Sequence, residues 1–279
     1  MPSNSNLKDV KELAEIARDL RLDILEMTTR AGSGHPSSSF SAVEIVTVLF
    51  FGGILRYRSE DPLWAERDRF IMSKGHAAPL LYAALARAGY FQRSELNRLR
   101  QIDSPLQGHP VQGLLPGVEA TTGSLGQGLS IGIGHVLGAR LNRLPYHVYV
   151  LLGDGECEEG QIWEAAMAAS HFRTDALVAL LDYNKFQETG PISREMALEP
   201  LADKWRSFGW HVQEADGHNS ADLMDKIGAA RILEGKPSIV ICHTVKGKGV
   251  SFVESDYTFH GRALTEEQAV QARKELLCG

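Results

Sequence analysis

Residues 147–155 read HVYVLLGDG, and residues 176–184 read ALVALLDYN. Each is a short apolar run that stops at polar residues. The first ends in Gly153-Asp154-Gly155 and the second in Asp182-Tyr183-Asn184. Apolar runs without alternation mark strands buried on both faces, the habit of parallel sheets. Asn184 stands thirty positions after Asp154, about the length of one strand–helix–strand crossover. Residues 161–172 supply the intervening helix. Asp154 and Asn184 are therefore expected at the carboxyl ends of two neighbouring parallel strands, where open α/β sheets bind ligands.

The same alternation extends through the second half. A short helix end and a strand are expected over 205–214, a helix over 221–233 and a strand over 238–243. Thr265 and Gln268 have capping-box spacing before a last helix. In the first half, apolar residues Leu7, Val10, Leu13, Ala17, Leu20, Ile24 and Leu25 mark one face of a helix over 7–31, ended by Gly32 and Gly34. Ser41 and Glu44 read as a capping box for a buried helix over 43–51. A strand is expected over 69–73 and a helix over 79–88. Residues 101–123 are a loop punctuated by glycine and proline, and loops of that length tend to be functional. A helix over 126–140 carries five glycines. Each costs roughly 1 kcal/mol against alanine, so close packing against another helix or chain must offset them. The fold class is α/β, a parallel sheet flanked by helices, in one domain spanning 1–279.

Composition narrows the function. The chain has 279 residues, 43% hydrophobic and 23% charged, with a net charge of −6. That balance gives no nucleic-acid footprint. No run of 18 apolar residues suggests a membrane span. The polar start, Met1 to Asn6, does not read as a signal peptide. Cys157, Cys242 and Cys278 are scattered and odd in number. They suit a reducing cytoplasm better than a disulfide or zinc framework.

The residue types at the two strand ends suit a magnesium–diphosphate complex. Magnesium prefers hard oxygen ligands in an octahedron. Asp154 offers a carboxylate and Asn184 an amide carbonyl; phosphate oxygens, water and a backbone carbonyl could complete the shell. Gly155 permits close backbone approach. A helix starting near Glu159 would aim its amides at the same place. GDG is also an ordinary turn string, and these residues alone do not name the ligand. Four histidines lie beside glycine: His35 in SGHP, His76 in SKGH, His109 in QGHP and His260 in FHG. Such flanks place them on tight loops with little packing. Together they could line one polar pocket and do acid–base work on sugar hydroxyls. Lys246-Gly247-Lys248-Gly249 reads more simply as a flexible basic turn than as a phosphate loop.

The sequence resembles the thiamine-diphosphate enzymes. GDG followed by Asn184 is similar to their signature, although Tyr183-Asn184 stands where many relatives have two asparagines. SGHP, GH, QGHP, TTGSLGQG and FHG narrow the resemblance to transketolases, nearly end to end. By resemblance, Asp154, Asn184 and the backbone carbonyl of Phe186 would bind the metal, Mg2+ or else Ca2+ or Mn2+. His76 and His260 would contact the diphosphate of thiamine diphosphate, together with Gly155 and the backbone of Gly123, Ser124 and Leu125. Ser124 replaces a frequent proline there. His35, His109 and His260 would face the sugar and carry the catalysis. Glu159 and Glu164 resemble glutamates where two active sites meet; an exposed acidic first turn complementing the helix dipole is the alternative reading. Small residues on the helix that carries them (Ala165, Ala166, Ala168, Ala169 and Ser170) suit either an interface or the core.

In that family a glutamate from a separate pyrimidine-binding domain activates the cofactor. About one helix follows His260, so the glutamate is expected from a partner chain, the C-terminal transketolase subunit, in an α2β2-like assembly. The implied activity is transfer of a two-carbon ketol unit between sugar phosphates. A pentose phosphate is the default donor, with a modified or sulfonated ketose left open. The alternatives are a deoxyxylulose-phosphate synthase or 2-oxoacid dehydrogenase component, or a non-catalytic cofactor-binding paralogue.

Overall fold

The computed structural model describes residues 9–278. The N-terminal segment and Leu7 therefore lie outside the described residues. Five strands form one parallel sheet: β1 (Arg69–Met72), β2 (Val148–Gly153), β3 (Leu177–Tyr183), β4 (His211–Asp216) and β5 (Ser238–His243), in the spatial order β1-β2-β3-β5-β4. The helices are α1 (Val10–Ala31), α2 (Pro36–Phe40), α3 (Val43–Phe51), α4 (Ala78–Arg87), α5 (Gln127–Asn142), α6 (Gly160–His171), α7 (Ile192–Glu195), α8 (Leu201–Ser207), α9 (Ser220–Arg231) and α10 (Glu266–Cys278).

The central strands are apolar on both faces because helices cover both. Tyr149, Leu151, Val178, Leu180, Val240 and Cys242 point into a core shared with α1, α3, α4, α9 and α10. Their neighbours Val148, Val150, Leu152, Ala179, Leu181, Ile239 and Ile241 point into a second core with α5, α6 and α8. This is the two-residue period of a strand read on a doubly covered sheet. β2 and β3 are hydrogen-bonded neighbours, with Gly153 level with Asp182. Asp154 and Asn184 thus leave the sheet side by side at the same edge.

Several boundaries differ for physical reasons. α1 starts on a capping box from Asp9 and Glu12, and Gly32 closes it in the left-handed conformation at φ 59°. The box expected from Ser41 and Glu44 does not form. The Ser41 hydroxyl donates to the Asp182 carboxylate at 2.6 Å, and Glu44 is drawn to Arg21 at 2.7 Å. Long-range buried partners outcompete the local cap. The short α2 is an element that the serine run 37–39 does not announce. Thr265 and Gln268 do form the reciprocal cap of α10.

The small residues of α6 serve the core: Ala165, Ala166 and Ala169 are buried against the second cluster, and Glu164 and Met167 face outward.

The glycines of α5 divide into two groups. A Cβ on Gly128 would lie 2.3 Å from Ser73 Oγ and 2.9 Å from Ser73 Cα. Gly134 and Gly138 would meet nothing within 4 Å. Gly128 therefore lets α5 lie on the end of β1, whereas Gly134 carries only the helix cost. Gly128→Ala is expected to destabilise the chain by about 1–3 kcal/mol. Gly134→Ala should stabilise it by up to about 1 kcal/mol. Urea unfolding of the two variants checks the opposite signs.

Candidate active site

The strand ends and the loops above them enclose a cavity of about 210 Å³. Its wall includes His35, His76, Gly123, Leu125, Asp154, Gly155, Asn184, Phe186 and His260. These come from segments far apart in sequence, and the sheet brings them together. His35 caps α2, His76 lies in the 3-10 turn Gly75–Ala77 after β1, and His260 follows the turn Tyr257–Phe259. These histidines are more packed than their glycine-rich flanks imply. Their rings form a triangle with centroids 5.2, 5.3 and 5.4 Å apart.

The electrostatics are those of a site prepared for an anion. Burial, then Arg100, His109 and two buried lysines, lower His35 to about 4. Burial and Lys246 lower His260 to about 3. Burial and Lys74 push His76 well below its ordinary value. All three imidazoles are neutral at pH 7, so each can donate from one nitrogen and accept at the other. His35 Nδ1 is buried with no hydrogen-bond partner, an open polar atom beside the cavity.

Two lysines and a glutamate complete the wall: neither spacing nor resemblance marks Lys74 and Glu156 in the sequence, and Lys246 stands in the glycine-lysine run read there as a flexible turn rather than a phosphate loop. Lys246 is 1% exposed; its Nζ lies 3.0 Å from His260 Nδ1 and donates to Ser38 Oγ at 3.3 Å. The expected flexible turn is a buried loop that delivers a cation to the cavity. Lys74 donates to the Ser38 carbonyl at 2.9 Å and pairs with Asp182. Glu156 accepts from Ser73, from the Gly126 amide at 2.9 Å and from the Gly153 amide at 3.0 Å. It thereby ties the glycine loop to the end of β2. The available signal was a charge set directly against an apolar strand, as in Lys74 after β1 and Asp182 within β3.

Other expected residues stand apart from the wall. Ser124 is exposed, although its neighbours Gly123 and Leu125 line the cavity. His109 is at the rim: a Cβ on Gly123 would come within 3.0 Å of its ring. Glu159 and Glu164 are exposed on the first turns of α6. A 3-10 turn, Gly155–Glu158, intervenes before α6, so it is this turn rather than the helix start near Glu159 that meets the cavity.

The residues fit a metal–diphosphate group. Asp154 is 2% and Asn184 5% exposed. Burial and the Asp182 charge push the Asp154 carboxyl upward, and the Lys185 and Gly155 amides and the Lys74 charge offset this only in part. Asp154 accepts the Gly155 amide at 2.8 Å and the Lys185 amide. Asn184 Oδ1 accepts the Phe186 amide at 3.1 Å. Among the described residues no group of three or more His, Cys, Asp or Glu side chains could hold a metal. A cation here would share its shell with phosphate oxygens. A side chain on Gly155 would sit 2.9 Å from Gln187 Cβ, so that turn stays bare and its backbone accessible.

The doubly covered parallel sheet, with this polar cavity at adjacent strand ends, makes the chain an α/β domain that binds its ligand where parallel strands end. Residues 10–278 match the family model described as transketolase, thiamine diphosphate binding domain. The chain belongs to that family. It is 43% identical over 268 residues to the 6-deoxy-6-sulfo-D-fructose transketolase subunit SqwG of Clostridium sp. (strain MSTE9), covering 96% of each chain. It is 39% identical to a subunit of the apulose-4-phosphate transketolase of Phocaeicola vulgatus, covering 92% of this chain and 90% of that one. The solved transketolase from Leishmania mexicana superposes with a TM-score of 0.88 at 32% identity. The match covers 97% of this chain but 42% of that one. No described helix is long and apolar enough to cross a membrane.

Proposed function

We propose that this chain is the diphosphate-binding subunit of a thiamine-diphosphate-dependent transketolase, moving a two-carbon ketol unit from a ketose phosphate to an aldose phosphate. The observation that carries the reading is the single cavity joining Asp154 and Asn184 to three neutral imidazoles and Lys246. Asp154, Asn184 and the Phe186 carbonyl hold a divalent cation, Mg2+ in the first instance. His76, His260, Lys246, Gly155 and the backbone of Gly123–Leu125 hold the diphosphate. When bound, thiamine diphosphate supplies the nucleophilic carbon for the ketol unit. His35 and His260, with His109 at the rim, take and return protons at the sugar hydroxyl and carbonyl; the negative charge of a bound diphosphate would raise their depressed values toward the working pH that general acid–base work needs.

The reading includes a partner. Two relatives of matching length are named as transketolase subunits, and the match to the Leishmania mexicana transketolase covers 42% of that chain. A C-terminal subunit with the pyrimidine-binding domain supplies the rest, in an α2β2 assembly with Glu159 and Glu164 near the junction. A cytoplasmic role on pentose phosphates is the default. The identity to SqwG favours a second substrate reading, a sulfonated ketose. The purified chain with Mg2+ and thiamine diphosphate should give no transfer from xylulose 5-phosphate or 6-deoxy-6-sulfofructose to an aldose phosphate. Adding the pyrimidine-domain polypeptide should restore transfer from one donor. Full activity from the chain alone would overturn the partner. Carbon dioxide release from pyruvate by the complex would overturn the reaction class.

A further inference from the structure

The loop that delivers Lys246 is held from behind by a buried polar relay that no part of the proposed chemistry uses. On its front, Lys246 enters the 210 Å³ cavity. On its back, the loop borders a separate cavity of about 850 Å³, whose wall includes Arg21, Glu44, His218 and Lys248. The Val245 amide, one residue before Lys246, donates to His218 Nε2 at 2.8 Å. His218 Nδ1 lies 3.0 Å from Glu44 Oε2. Glu44 is gripped by both terminal nitrogens of Arg21 at 2.7 and 2.8 Å. Arg21 Nε donates to the Lys248 carbonyl at 2.9 Å.

This geometry fixes the tautomer of His218. A ring nitrogen that accepts an amide proton cannot carry one, so the proton sits on Nδ1 and is donated to Glu44. The Glu44 carboxylate in turn cannot rotate, because Arg21 holds both its oxygens in a bidentate pair. The loop is thus pinned at Val245 and at Lys248, on both sides of Lys246. On the other side the Gly247 amide donates to the Ser37 carbonyl at 3.0 Å.

We propose that His218 is a positioning residue: with Glu44 and Arg21 it fixes the loop that points Lys246 into the cofactor cavity. The inference rests on the cofactor reading above and extends it to a side chain that touches neither cavity-bound group. A partner that orients a ligand in this way changes affinity by about 10-fold or more when lost.

The test uses the full chain and magnesium pyrophosphate as the probe, with calorimetry and hydrogen–deuterium exchange. His218→Phe should weaken pyrophosphate binding about 10-fold and speed exchange at Val245 and Gly247. His218→Gln, which keeps an acceptor for the Val245 amide, should recover most of both. In a Lys246→Met background His218→Phe should add less than about twofold, because coupled sites are not additive. An equal loss in both backgrounds, or exchange at Val245 unchanged by His218→Phe, overturns the inference. Unchanged binding in Lys246→Met alone instead overturns the cofactor reading and leaves the exchange result to decide the role of His218. If His218→Phe does not fold, Glu44→Gln carries the expected loss at the next link of the relay and His218→Gln the expected recovery.

Discussion

Asp154→Asn should cost the chain its affinity for magnesium pyrophosphate, by at least about 100-fold, while making the empty chain more stable. The two effects have one cause. Asp154 is 2% exposed and faces the Asp182 carboxylate. Burial and that charge raise its pKa in the folded state. Between the unfolded value, near 4, and the higher folded value, the unfolded chain releases its proton first. Stability therefore falls as pH rises through that window and is level above it. Asparagine has the same shape and no charge to bury, so the variant should escape this loss. Its advantage in urea unfolding should be absent below pH 4 and should grow up to the folded value. Magnesium pyrophosphate should remove the advantage by stabilising only the wild type. Retained tight binding in the variant would end the assignment of Asp154 as a metal ligand. A variant less stable than wild type at pH 7 would show that its hydrogen bonds outweigh its charge.

How much of this was legible in the sequence follows from where each residue finds its partners. The apolar runs before Asp154 and Asn184 identified β2 and β3 as neighbours, because a strand buried on both faces leaves a pattern in its own composition. The GDG and histidine strings marked the cavity because glycine is required where backbone approaches a ligand or a ring. Gly123, where a Cβ would come within 3.0 Å of the His109 ring, is one such place. Residues whose partners are distant in sequence left no such mark. Lys246 looked like a solvated turn, and its burial follows from contacts with Ser38 and His260 that only the assembled fold provides. Glu44 had the spacing of a cap, and its partners are Arg21 on α1 and His218 after β4. The alanines of α6 suited an interface and the core equally from sequence. The second core receives Ala165, Ala166 and Ala169.

The largest loss of stability is expected at Asp182, the structural counterpart of Asp154. It is fully buried and accepts from four groups: the Lys74 ammonium, the Thr244 hydroxyl, the Ser41 hydroxyl at 2.6 Å and Asn184 Nδ2 at 3.3 Å. Burial alone would raise its pKa, but Lys74 and the hydroxyls more than offset this and hold it below the ordinary value. Its contribution to stability is therefore present above the unfolded carboxylate value and is lost as pH falls through the folded one, opposite in sign to Asp154. Asp182→Ala strands the Lys74 charge, 1% exposed, and should cost about 3–5 kcal/mol. Lys74→Met should cost a similar amount by stranding Asp182. The double variant Lys74→Met/Asp182→Ala should cost much less than the two losses added, because no buried charge is left unpaired. Urea unfolding of the three variants measures this coupling, and simple additivity would reject the pair as the source of the loss. Magnesium pyrophosphate binding should fall in all three, because Asn184 loses either its hydrogen bond to Asp182 or the charge balance that holds that acceptor in place. The two carboxylates at the strand ends thus have opposite tasks. Lys74 neutralises Asp182 within the fold, whereas the proposed function gives Asp154 the task of holding a cation from outside.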